Sequence, residues 1–264
     1  MLESIILGTI QGIAEWLPVS SEGLIFLVKA NFFNQGESVR EITELALWLH
    51  LGTFLAALVY FRKDVLILLR ALVKFGDAGE DRQRVLIFLV IATLISGLVG
   101  VSLLLILTEA AGDLNFTTKA ITLIIGILLL ITAGLQFKAK KNGLRNEKDI
   151  KNKDSVLLGL MQGLAALPGL SRSGLTVSAL LLRKFNEALA LRLSFLLSLP
   201  IVLGGNIVLN LDKMALNPES LIGLLASFVF GLLTIGALLK IAKKVNFGWF
   251  VLGFGILTLL SVLI

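Results

Sequence analysis

Long apolar stretches, separated by short polar segments, run along the whole chain. A helix that spans a bilayer needs about 20 predominantly apolar residues. Six stretches are clear candidates, and they cover residues of about 43–61, 85–107, 119–137, 187–211, 219–239 and 247–264. The pattern predicts an all-α integral membrane protein with six transmembrane helices.

Two further apolar stretches, residues 2–31 and 156–184, are interrupted in the middle by proline, glycine and serine. A break in a lipid-exposed helix leaves backbone polar groups unpaired, so broken segments are tolerated only where protein or a cavity surrounds them. Each stretch is therefore predicted to form a re-entrant hairpin of two half-helices.

The positions of the basic residues test this topology. Eighteen of the 24 lysines and arginines lie in one set of segments, at 62–84, 138–153, 183–184 and 240–244. The opposite set carries four, near 29–40, 108–119 and 212–218. Basic residues are enriched in cytoplasmic loops, which places the first set in the cytoplasm. The spans then alternate correctly only if both interrupted stretches return to the side they entered from, the first from outside and the second from the cytoplasm.

The two interrupted stretches also resemble each other in sequence. LGTIQGIA at 7–14 is matched by LGLMQGLA at 158–165, and LPVSSEGL at 17–24 by LPGLSRSGL at 167–175. Downstream, ELALWLHLGTFLA at 44–56 has a counterpart in EALALRLSFLLSL at 187–199. Three matches in the same order predict an internal repeat, and the opposite entry sides make its topology inverted.

We therefore predict one membrane domain over residues 1–264, with repeat 1 at about 1–137 and repeat 2 at about 155–264. In proteins built this way the functional site lies at the repeat interface. The repeat by itself leaves open whether that site transports or catalyses.

Composition agrees with lipid as part of the solvent, because 56% of the residues are hydrophobic and only 16% are charged, with a mean hydropathy of +0.94. The chain has no cysteine and one histidine, His50, which excludes a thiol nucleophile, a disulfide framework and a multi-histidine zinc site. The net charge of +6 is placed in loops, so no nucleic-acid partner is expected. The first segment lacks a basic region and a small-residue cleavage site, and we interpret it as mature protein.

Polar residues are concentrated at the first interruption. Gln11 and Glu15 are four residues apart and share one helix face, and Pro18 ends that helix. The polar residues that follow in the break or the returning half-helix are Ser20, Ser21 and Glu22. A carboxylate at membrane depth is costly and is by default a functional-site hypothesis. Two alternatives stay open: Glu15 lies near the membrane interface, and Glu22 only occupies a first helical turn.

The second interruption combines small residues, hydroxyls and an arginine ahead of an apolar helix. Backbone N–H groups at a helix N-terminus form an anion site. Arg172 adds a planar, permanently charged fork that suits phosphate or carboxylate. The hydroxyl residues beside it are Ser171, Ser173 and Thr176. The alternative is a structural ion pair of Arg172 with Glu15 or Glu22 that holds the two repeats together.

An anion-binding half and an acidic half together provide what phosphoryl-group hydrolysis requires. Phosphate oxygens must be clamped, a nucleophile supplied or oriented, and developing charge neutralised. A Mg²⁺ or Ca²⁺ ion held by Glu15 and the phosphate is a normal addition to such a site. A phosphate that is bound inside a membrane cavity suggests that the rest of the substrate is lipid.

These motifs resemble those of the undecaprenyl-diphosphate phosphatase family (BacA/UppP). Residues 11–23 resemble its (E/Q)-x-x-x-E and PVSS signature, residues 168–176 match its P-G-x-S-R-S-x-x-T motif in full, and HLGTFLAALVYFRKD at 50–64 is typical of it. The resemblance extends over essentially the whole chain. It implies six transmembrane helices, two re-entrant hairpins, and removal of one phosphate from a long-chain polyprenyl diphosphate, which recycles the carrier lipid of the cell wall.

By this resemblance Glu15 is the key acidic residue, with Ser21, Ser171, Arg172, Ser173 and Thr176 around the diphosphate. The resemblance and the residues themselves together give the following candidates. The candidate catalytic residues are Glu15, Ser21 and Arg172. The candidate diphosphate-binding residues are Ser20, Ser171, Ser173, Thr176 and Gln11, and the candidate metal ligands or bases are Glu15 and Glu22. A divalent cation, Mg²⁺ or Ca²⁺, is expected as cofactor. The expected location is the plasma membrane, with the site facing outside and membrane lipids as neighbours; a homodimer stays open.

The chain departs from the family pattern at two positions. Leu24 stands where many members have a histidine, and Glu22 stands where others often have a small or hydroxyl residue. Without an imidazole in the first motif, Glu15 or Glu22 has to activate the nucleophile, which is either Ser21 or a water oriented by Glu15. His50 lies on a predicted spanning helix in another segment, and we interpret it as structural.

Three functions remain open at this point. A polyprenyl-diphosphate phosphatase is the leading hypothesis. A polyprenyl-phosphate transporter or flippase with the same fold is the main alternative, because inverted repeats with broken helices are common in transporters. A structural or regulatory membrane protein is the third.

Overall fold

The computed structural model describes residues 1–33, 37–114, 118–139, 142–210 and 217–262. Within these ranges the regular structure consists of eleven α-helices and two short 3₁₀ turns, at Phe75–Asp77 and Glu147–Asp149. The helices are α1 (Leu2–Ala14), α2 (Ser21–Phe32), α3 (Val39–Tyr60), α4 (Arg62–Val73), α5 (Glu80–Leu114), α6 (Thr118–Lys138), α7 (Asn152–Leu164), α8 (Arg172–Leu182), α9 (Glu187–Asn210), α10 (Pro218–Lys244) and α11 (Gly248–Ser261). The prediction of an all-α protein is confirmed for these ranges.

Five helices are long and apolar enough to cross a membrane, which makes the chain a multi-pass membrane protein. The five lie at Arg40–Tyr60, Glu80–Ile106, Lys119–Lys138, Glu187–Val208 and Pro218–Ile241, and they match the first five predicted spans. The sixth predicted span, 247–264, corresponds to α11, which has 14 residues. A helix of that length reaches about 21 Å, whereas the hydrocarbon core of a bilayer is about 30 Å thick. Residues 211, 263 and 264 of the predicted spans lie outside the described ranges.

One helix was missed by the hydrophobic pattern. Residues 62–84 were expected to form a basic loop, but α4 occupies most of the first half of this segment. Leu66, Leu69 and Leu72 are exposed on α4, beside its arginines Arg62 and Arg70. Exposed leucines together with basic residues are typical of a helix that lies in the membrane interface. Its apolar residues are interrupted by charged ones, so the search for long apolar stretches did not detect it.

Both interrupted stretches form helical hairpins. Helix α1 runs into a break at residues 15–20 and α2 returns from it; α7 and α8 flank a second break at residues 165–171. Each hairpin is closed at its open end by an ion pair between the start of its first helix and the end of its second. These pairs are Lys29–Glu3 and Arg183–Asp154. The predicted interruptions are confirmed, and the chain reverses direction at each of them.

Each break ends at a serine that caps the returning helix. Ser20 Oγ accepts the backbone N–H of Gly23 at 3.2 Å, and Ser171 Oγ accepts that of Gly174 at 3.1 Å. Such caps satisfy one of the backbone donors that a helix leaves unpaired at its first turn. Ser20 also has a φ of 64°, a left-handed conformation that a non-glycine residue rarely adopts. The two returning helices therefore begin at defined positions beside the breaks.

The glycines of the repeated LGxxQGxA motif allow each hairpin to approach a spanning helix closely. A Cβ atom added at Gly8 would lie 2.2 Å from the carbonyl oxygen of Gly223 in α10. In the second hairpin, a Cβ atom added at Gly159 would lie 2.8 Å from the carbonyl oxygen of Ala92 in α5. Small residues at helix interfaces are what permit this approach in membrane proteins. As a result α1 packs along α10, and α7 packs along α5.

Asp154 connects the second hairpin to the segment that follows α6. Its carboxylate accepts hydrogen bonds from Arg145 Nη2 and Arg183 Nε, each at 2.7 Å. Burial alone would raise the pKa of the Asp154 carboxyl, but the hydrogen bonds from Arg145 and Arg183 outweigh it and hold this pKa below its usual range. The network fixes the open end of the second hairpin.

The tips of the two hairpins meet inside the helix bundle. Ser173 Oγ of the second hairpin donates to the Leu17 carbonyl oxygen of the first at 3.0 Å. Gln136 Nε2 of α6 donates to the Pro18 carbonyl oxygen at 2.6 Å. Gly169 has a φ of +101°, and a Cβ atom there would lie 2.9 Å from the α6 backbone, so only glycine fits. The two breaks thus form one continuous polar region.

Candidate active site

Glu15 is the centre of this region and accepts hydrogen bonds from both hairpins. It follows the last residue of α1, and its side chain is only 7% exposed. Oε2 accepts from Gln11 Nε2 at 3.0 Å and from Ser21 Oγ at 2.8 Å. His50 Nε2 lies 3.2 Å from the same oxygen, while Oε1 pairs with Arg172 Nη2. A carboxylate with this many donors around it is held in one orientation.

Gln11 supports Glu15 from the preceding helical turn. Its side chain is fully buried, and Nε2 also lies 3.3 Å from Thr53 Oγ1 of α3. Thr53 in turn donates to the His50 carbonyl oxygen at 3.0 Å. The spacing of four residues between Gln11 and Glu15 therefore places both side chains on one face, as predicted. Gln11 therefore contacts both the Glu15 carboxylate and α3.

Arg172 is the first residue of α8 and joins the two hairpins. Besides its ion pair with Glu15, Nη1 donates to the Ser194 carbonyl oxygen of α9 at 3.3 Å. Its guanidinium lies over the Phe195 ring at 5.3 Å from the centroid. The N-terminus of a helix is already positive, so an arginine there concentrates positive charge at the break. Such a place favours an anion.

Four serines surround the ion pair, two from each break. Ser20 and Ser171 are the helix caps described above. Together with Ser21 they line a cavity that begins at Glu15 and Arg172. Ser173 lies one residue after Arg172; its Oγ is 3.4 Å from Ser171 Oγ. All four serines line one cavity at the starts of α2 and α8, and helix N-termini with hydroxyl groups are suited to binding phosphate oxygens.

Thr176 does not reach this region. Its Oγ1 donates to the Arg172 carbonyl oxygen at 2.8 Å and is 2.6 Å from Ser194 Oγ, and the side chain is fully buried. The prediction had placed Thr176 at the diphosphate. The contacts instead give it a packing role between α8 and α9, because a hydroxyl on a helix readily bonds to the carbonyl oxygen one turn earlier.

A cavity of about 540 Å³ begins at Glu15 and Arg172 and extends along the inner faces of α3, α5 and α9. Its polar end is formed by the residues of the two breaks together with Glu22 and His50. Its remaining wall is mostly apolar and includes Leu94, Leu98, Val101, Leu104, Ile201 and Val208. A cavity with one charged end and apolar walls fits a molecule that has an anionic head and a hydrocarbon chain.

His50 lies beside this site, whereas the sequence had been interpreted as making it a structural residue of another segment. It lies on α3, its side chain is 15% exposed, and it lines the cavity beside Glu15. Its position was missed because the contact joins α3 to α1 in space, which neither spacing nor motif order indicates. Two signals were available: HLGTFLA belongs to the third of the repeated blocks, and His50 begins the segment 50–64 that is typical of the family. Thr53, Ser194 and Phe195 were missed for the same reason.

Leu24, which stands in place of the family histidine, packs against the apolar cluster that contains Ile25, Phe26 and Val19. The first motif therefore contributes no imidazole, and the imidazole beside Glu15 comes from α3.

Glu15 does not fit a divalent cation in this arrangement, since its oxygens already face four donors, one of them a guanidinium. Glu22 fits better. Its carboxylate lines the cavity and has no hydrogen bond or ion pair to any of the described residues. Mg²⁺ is commonly bound by one or two carboxylates together with substrate phosphates. No group of three or more histidine, cysteine, aspartate or glutamate residues that could hold a metal occurs within the described ranges.

Comparison with known proteins agrees with this geometry. The family described as bacitracin resistance protein BacA matches residues 4–259. An undecaprenyl-diphosphatase of Methanococcoides burtonii is 45% identical over 263 residues, which are 98% of this chain and 97% of the relative. Those of Methanothrix thermoacetophila and Haloarcula marismortui are 36% and 39% identical, over 98% and 94% of this chain and 95% and 92% of the relatives. The chain belongs to the BacA family.

Proposed function

We propose that the protein is an undecaprenyl (polyprenyl) diphosphate phosphatase, which hydrolyses the lipid diphosphate to the monophosphate and inorganic phosphate. The observation that carries this proposal is the Glu15–Arg172 pair, which joins both hairpins at the polar end of an apolar cavity. The names of its relatives support the same reaction. The monophosphate is the form in which a carrier lipid is recycled for cell-wall synthesis.

The anion-binding half holds the terminal phosphate. Arg172, Ser171 and Ser173 line the cavity at the start of α8, and Ser21 and Glu22 line it at the start of α2. Fixed donors of this kind stabilise the charge that spreads over the phosphoryl oxygens as the bridging P–O bond breaks. The hydrocarbon chain of the substrate occupies the apolar part of the cavity, so that the diphosphate reaches the break.

The acidic half supplies the nucleophile. Ser21 Oγ donates to Glu15 Oε2 at 2.8 Å, which is the geometry of a hydroxyl activated by a neighbouring base. In the serine route, Oγ attacks the terminal phosphorus, its proton passes to Glu15, and the lipid monophosphate leaves. Water then hydrolyses the phosphoserine, releases inorganic phosphate, and the proton returns to Ser21. In the alternative, a water oriented by Glu15 attacks directly, and Ser21→Ala keeps most of the activity.

Glu22, at the polar end of the cavity, would hold a divalent cation, Mg²⁺ or Ca²⁺. When bound, it would neutralise charge on the phosphoryl group and on the leaving lipid phosphate. The proposal is testable without turnover, because Glu22→Gln should weaken cation-dependent binding of a non-hydrolysable lipid diphosphonate while Glu3→Gln, at the far end of the first hairpin, should not.

The full topology that we propose has six transmembrane helices, the five long ones and the shorter α11, and two re-entrant hairpins in an inverted repeat, within the plasma membrane. Supporting it, α1 of the first half packs along α10 of the second, and α7 of the second half packs along α5 of the first. The cavity follows α5 from Thr93 to Leu104, away from the basic segment 62–84. With basic segments in the cytoplasm, the site then faces outside.

A second candidate function, lipid transport, is favoured by a second cavity. It has a volume of about 220 Å³ and lies on the other side of the hairpin tips, lined by Glu187, Lys244 and Asn246 near the basic segments. Ser173 lines both cavities. Two cavities that reach one residue from opposite sides resemble the two halves of an alternating-access pathway.

Release of inorganic phosphate from a long-chain prenyl diphosphate by the purified protein in detergent tests the proposal. Wild type should release phosphate, and Glu15→Gln, which keeps the size of the side chain but removes its charge, should lose most of this activity. Absence of phosphate release with any divalent metal, together with passage of labelled lipid phosphate across liposomes, would establish the transporter instead.

A further inference from the structure

His50 presents both ring nitrogens to oxygen atoms that only accept hydrogen bonds. Nδ1 lies 2.6 Å from the Ala46 carbonyl oxygen, one helical turn earlier on α3. Nε2 lies 3.2 Å from Oε2 of the ionised Glu15. A neutral imidazole carries one N–H and one lone pair, so it can satisfy only one of these acceptors. Both contacts are attractive only when His50 carries a proton on each nitrogen.

A protonated His50 gives the polar end of the cavity a second cation. Arg172 pairs with Glu15 Oε1 and His50 with Oε2, so one carboxylate stands between two positive groups. The other titratable group that lines this end is Glu22, from α2. His50 and Arg172 place two positive charges against the one negative charge of Glu15, and Glu22 adds a carboxylate to the same end of the cavity. The two cations also prevent rotation of the Glu15 side chain, because each oxygen has its own cationic donor.

We infer that His50 is a positioning residue of the phosphatase site, which fixes Glu15 Oε2 towards Ser21 and raises the positive charge at the diphosphate. It supplies from α3 the imidazole that the first motif lacks at Leu24. The inference rests on the proposed function, since it assigns His50 to that same site. It differs from a packing role, which requires neither a proton on Nε2 nor a charge.

Three variants separate these roles. His50→Ala removes the imidazole; His50→Gln keeps a neutral N–H donor; Leu55→Ala, one of the exposed leucines on α3, is the matched control. With the lipid diphosphate as substrate, kcat of His50→Ala should fall about 100-fold, the usual scale for a positioned proton-bearing group. KM should change much less, and added imidazole should restore part of the loss. Leu55→Ala should behave as wild type.

The pH profile gives the readout that packing cannot produce. In wild type, kcat should fall as rising pH removes the second proton from His50. In His50→Gln that alkaline decrease should be absent, while kcat stays above that of His50→Ala at every pH. An active His50→Ala protein with an unchanged pH profile overturns the inference. The inference also fails if His50→Ala and His50→Gln both lose kcat and melt at a lower temperature, and if added imidazole does not restore kcat.

Binding without turnover distinguishes failure of this inference from failure of the proposed function. The probe is a long-chain prenyl methylene-diphosphonate, which cannot be hydrolysed at its bridge. His50→Ala should bind it roughly tenfold more weakly than wild type, because the variant lacks one positive charge at the polar end of the cavity. If wild type releases no phosphate, the phosphatase proposal is wrong. The difference in probe affinity between wild type and His50→Ala would still show whether His50 contributes to the anion site. Equal binding by both proteins removes His50 from the anion site.

Discussion

Replacing Arg172 by alanine removes the contact that joins the two hairpins. The side chain is 17% exposed, and it supplies the ion pair to Glu15, a hydrogen bond to Ser194 and a cation–π contact with Phe195. Glu15 keeps its hydrogen bonds from Gln11 and Ser21, so its carboxylate is not left without partners. Arg172→Ala should therefore reduce stability moderately and activity much more.

The expected loss of stability follows from these remaining contacts. Breaking a fully buried ion pair costs about 3–5 kcal/mol. The partial exposure of Arg172 and the other donors to Glu15 reduce this to about 2–3 kcal/mol on the same scale. For a chain of this size, the melting temperature should then fall by about 5–10 °C. The variant should still fold and should remain soluble in detergent.

The expected loss of activity is far larger. An arginine that stabilises the transferring phosphoryl group contributes about 10³–10⁵ to the rate, so kcat/KM of Arg172→Ala should fall by roughly that factor. Arg172→Lys should recover part of it, because lysine restores the charge but lacks the planar fork. Phosphate release from a prenyl diphosphate measures both, and thermal unfolding checks the fold.

Arg183 offers a matched control, since Arg183→Ala removes the same charge from the other end of the second hairpin, next to Asp154. This control should keep its activity and lose some stability. If Arg172→Ala stays within tenfold of wild type, or if Arg183→Ala loses as much activity, Arg172 is not the phosphate-binding group.

Three further predictions follow from single contacts. Thr176→Val should keep kcat/KM within about threefold and lose about 1–3 kcal/mol of stability, because it removes the two buried hydrogen bonds of the hydroxyl. A large rise in KM with an unchanged melting temperature would return Thr176 to the diphosphate site. Asp154→Asn should cost about 3 kcal/mol at neutral pH. The pKa of Asp154 is lowered on folding. The difference in stability between wild type and Asp154→Asn should therefore be constant above about pH 4 and should disappear as the pH falls through the folded pKa. Denaturation midpoints measured across this pH range give the test. Gly159→Leu should prevent α7 from packing on α5 and so abolish folding, which fluorescence-detected gel filtration measures. Gly253→Leu is the control and should fold, because a Cβ atom added at Gly253 meets no atom within 4 Å.

The elements of the site that lie within one hairpin could be predicted from the sequence. Helical spacing placed Gln11 beside Glu15, and Pro18 with its neighbours predicted the first break. The basic arginine at the start of α8 was recognisable because it follows small and hydroxyl residues. All of these are local features, since each depends on residues within about two helical turns of one another.

The contacts between elements could not be predicted in the same way. His50 reaches Glu15 because α3 packs against the first hairpin, a tertiary contact that no spacing rule contains. The motif also could not tell Thr176 from Ser173, since both are hydroxyl residues near Arg172. The orientation of α8 about its own axis decides which hydroxyl reaches the site, and Thr176 faces α9. Nor does apolar composition set length: α11 has a strongly apolar sequence but only 14 residues.

A structural ion pair and a phosphate site are not competing descriptions of Arg172. A guanidinium carries five N–H donors, whereas the structure uses Nη2 for Glu15 and Nη1 for the Ser194 carbonyl oxygen. The side chain also lines the cavity, so its remaining donors can meet an anion there without giving up Glu15. The pair holds the guanidinium still before substrate arrives, which is how preorganised donors lower a barrier. The alternative of a purely structural pair therefore predicts a different variant series: Arg172→Lys and Glu15→Gln should then affect melting temperature in proportion to activity, whereas a preorganised site loses activity far beyond its loss of stability.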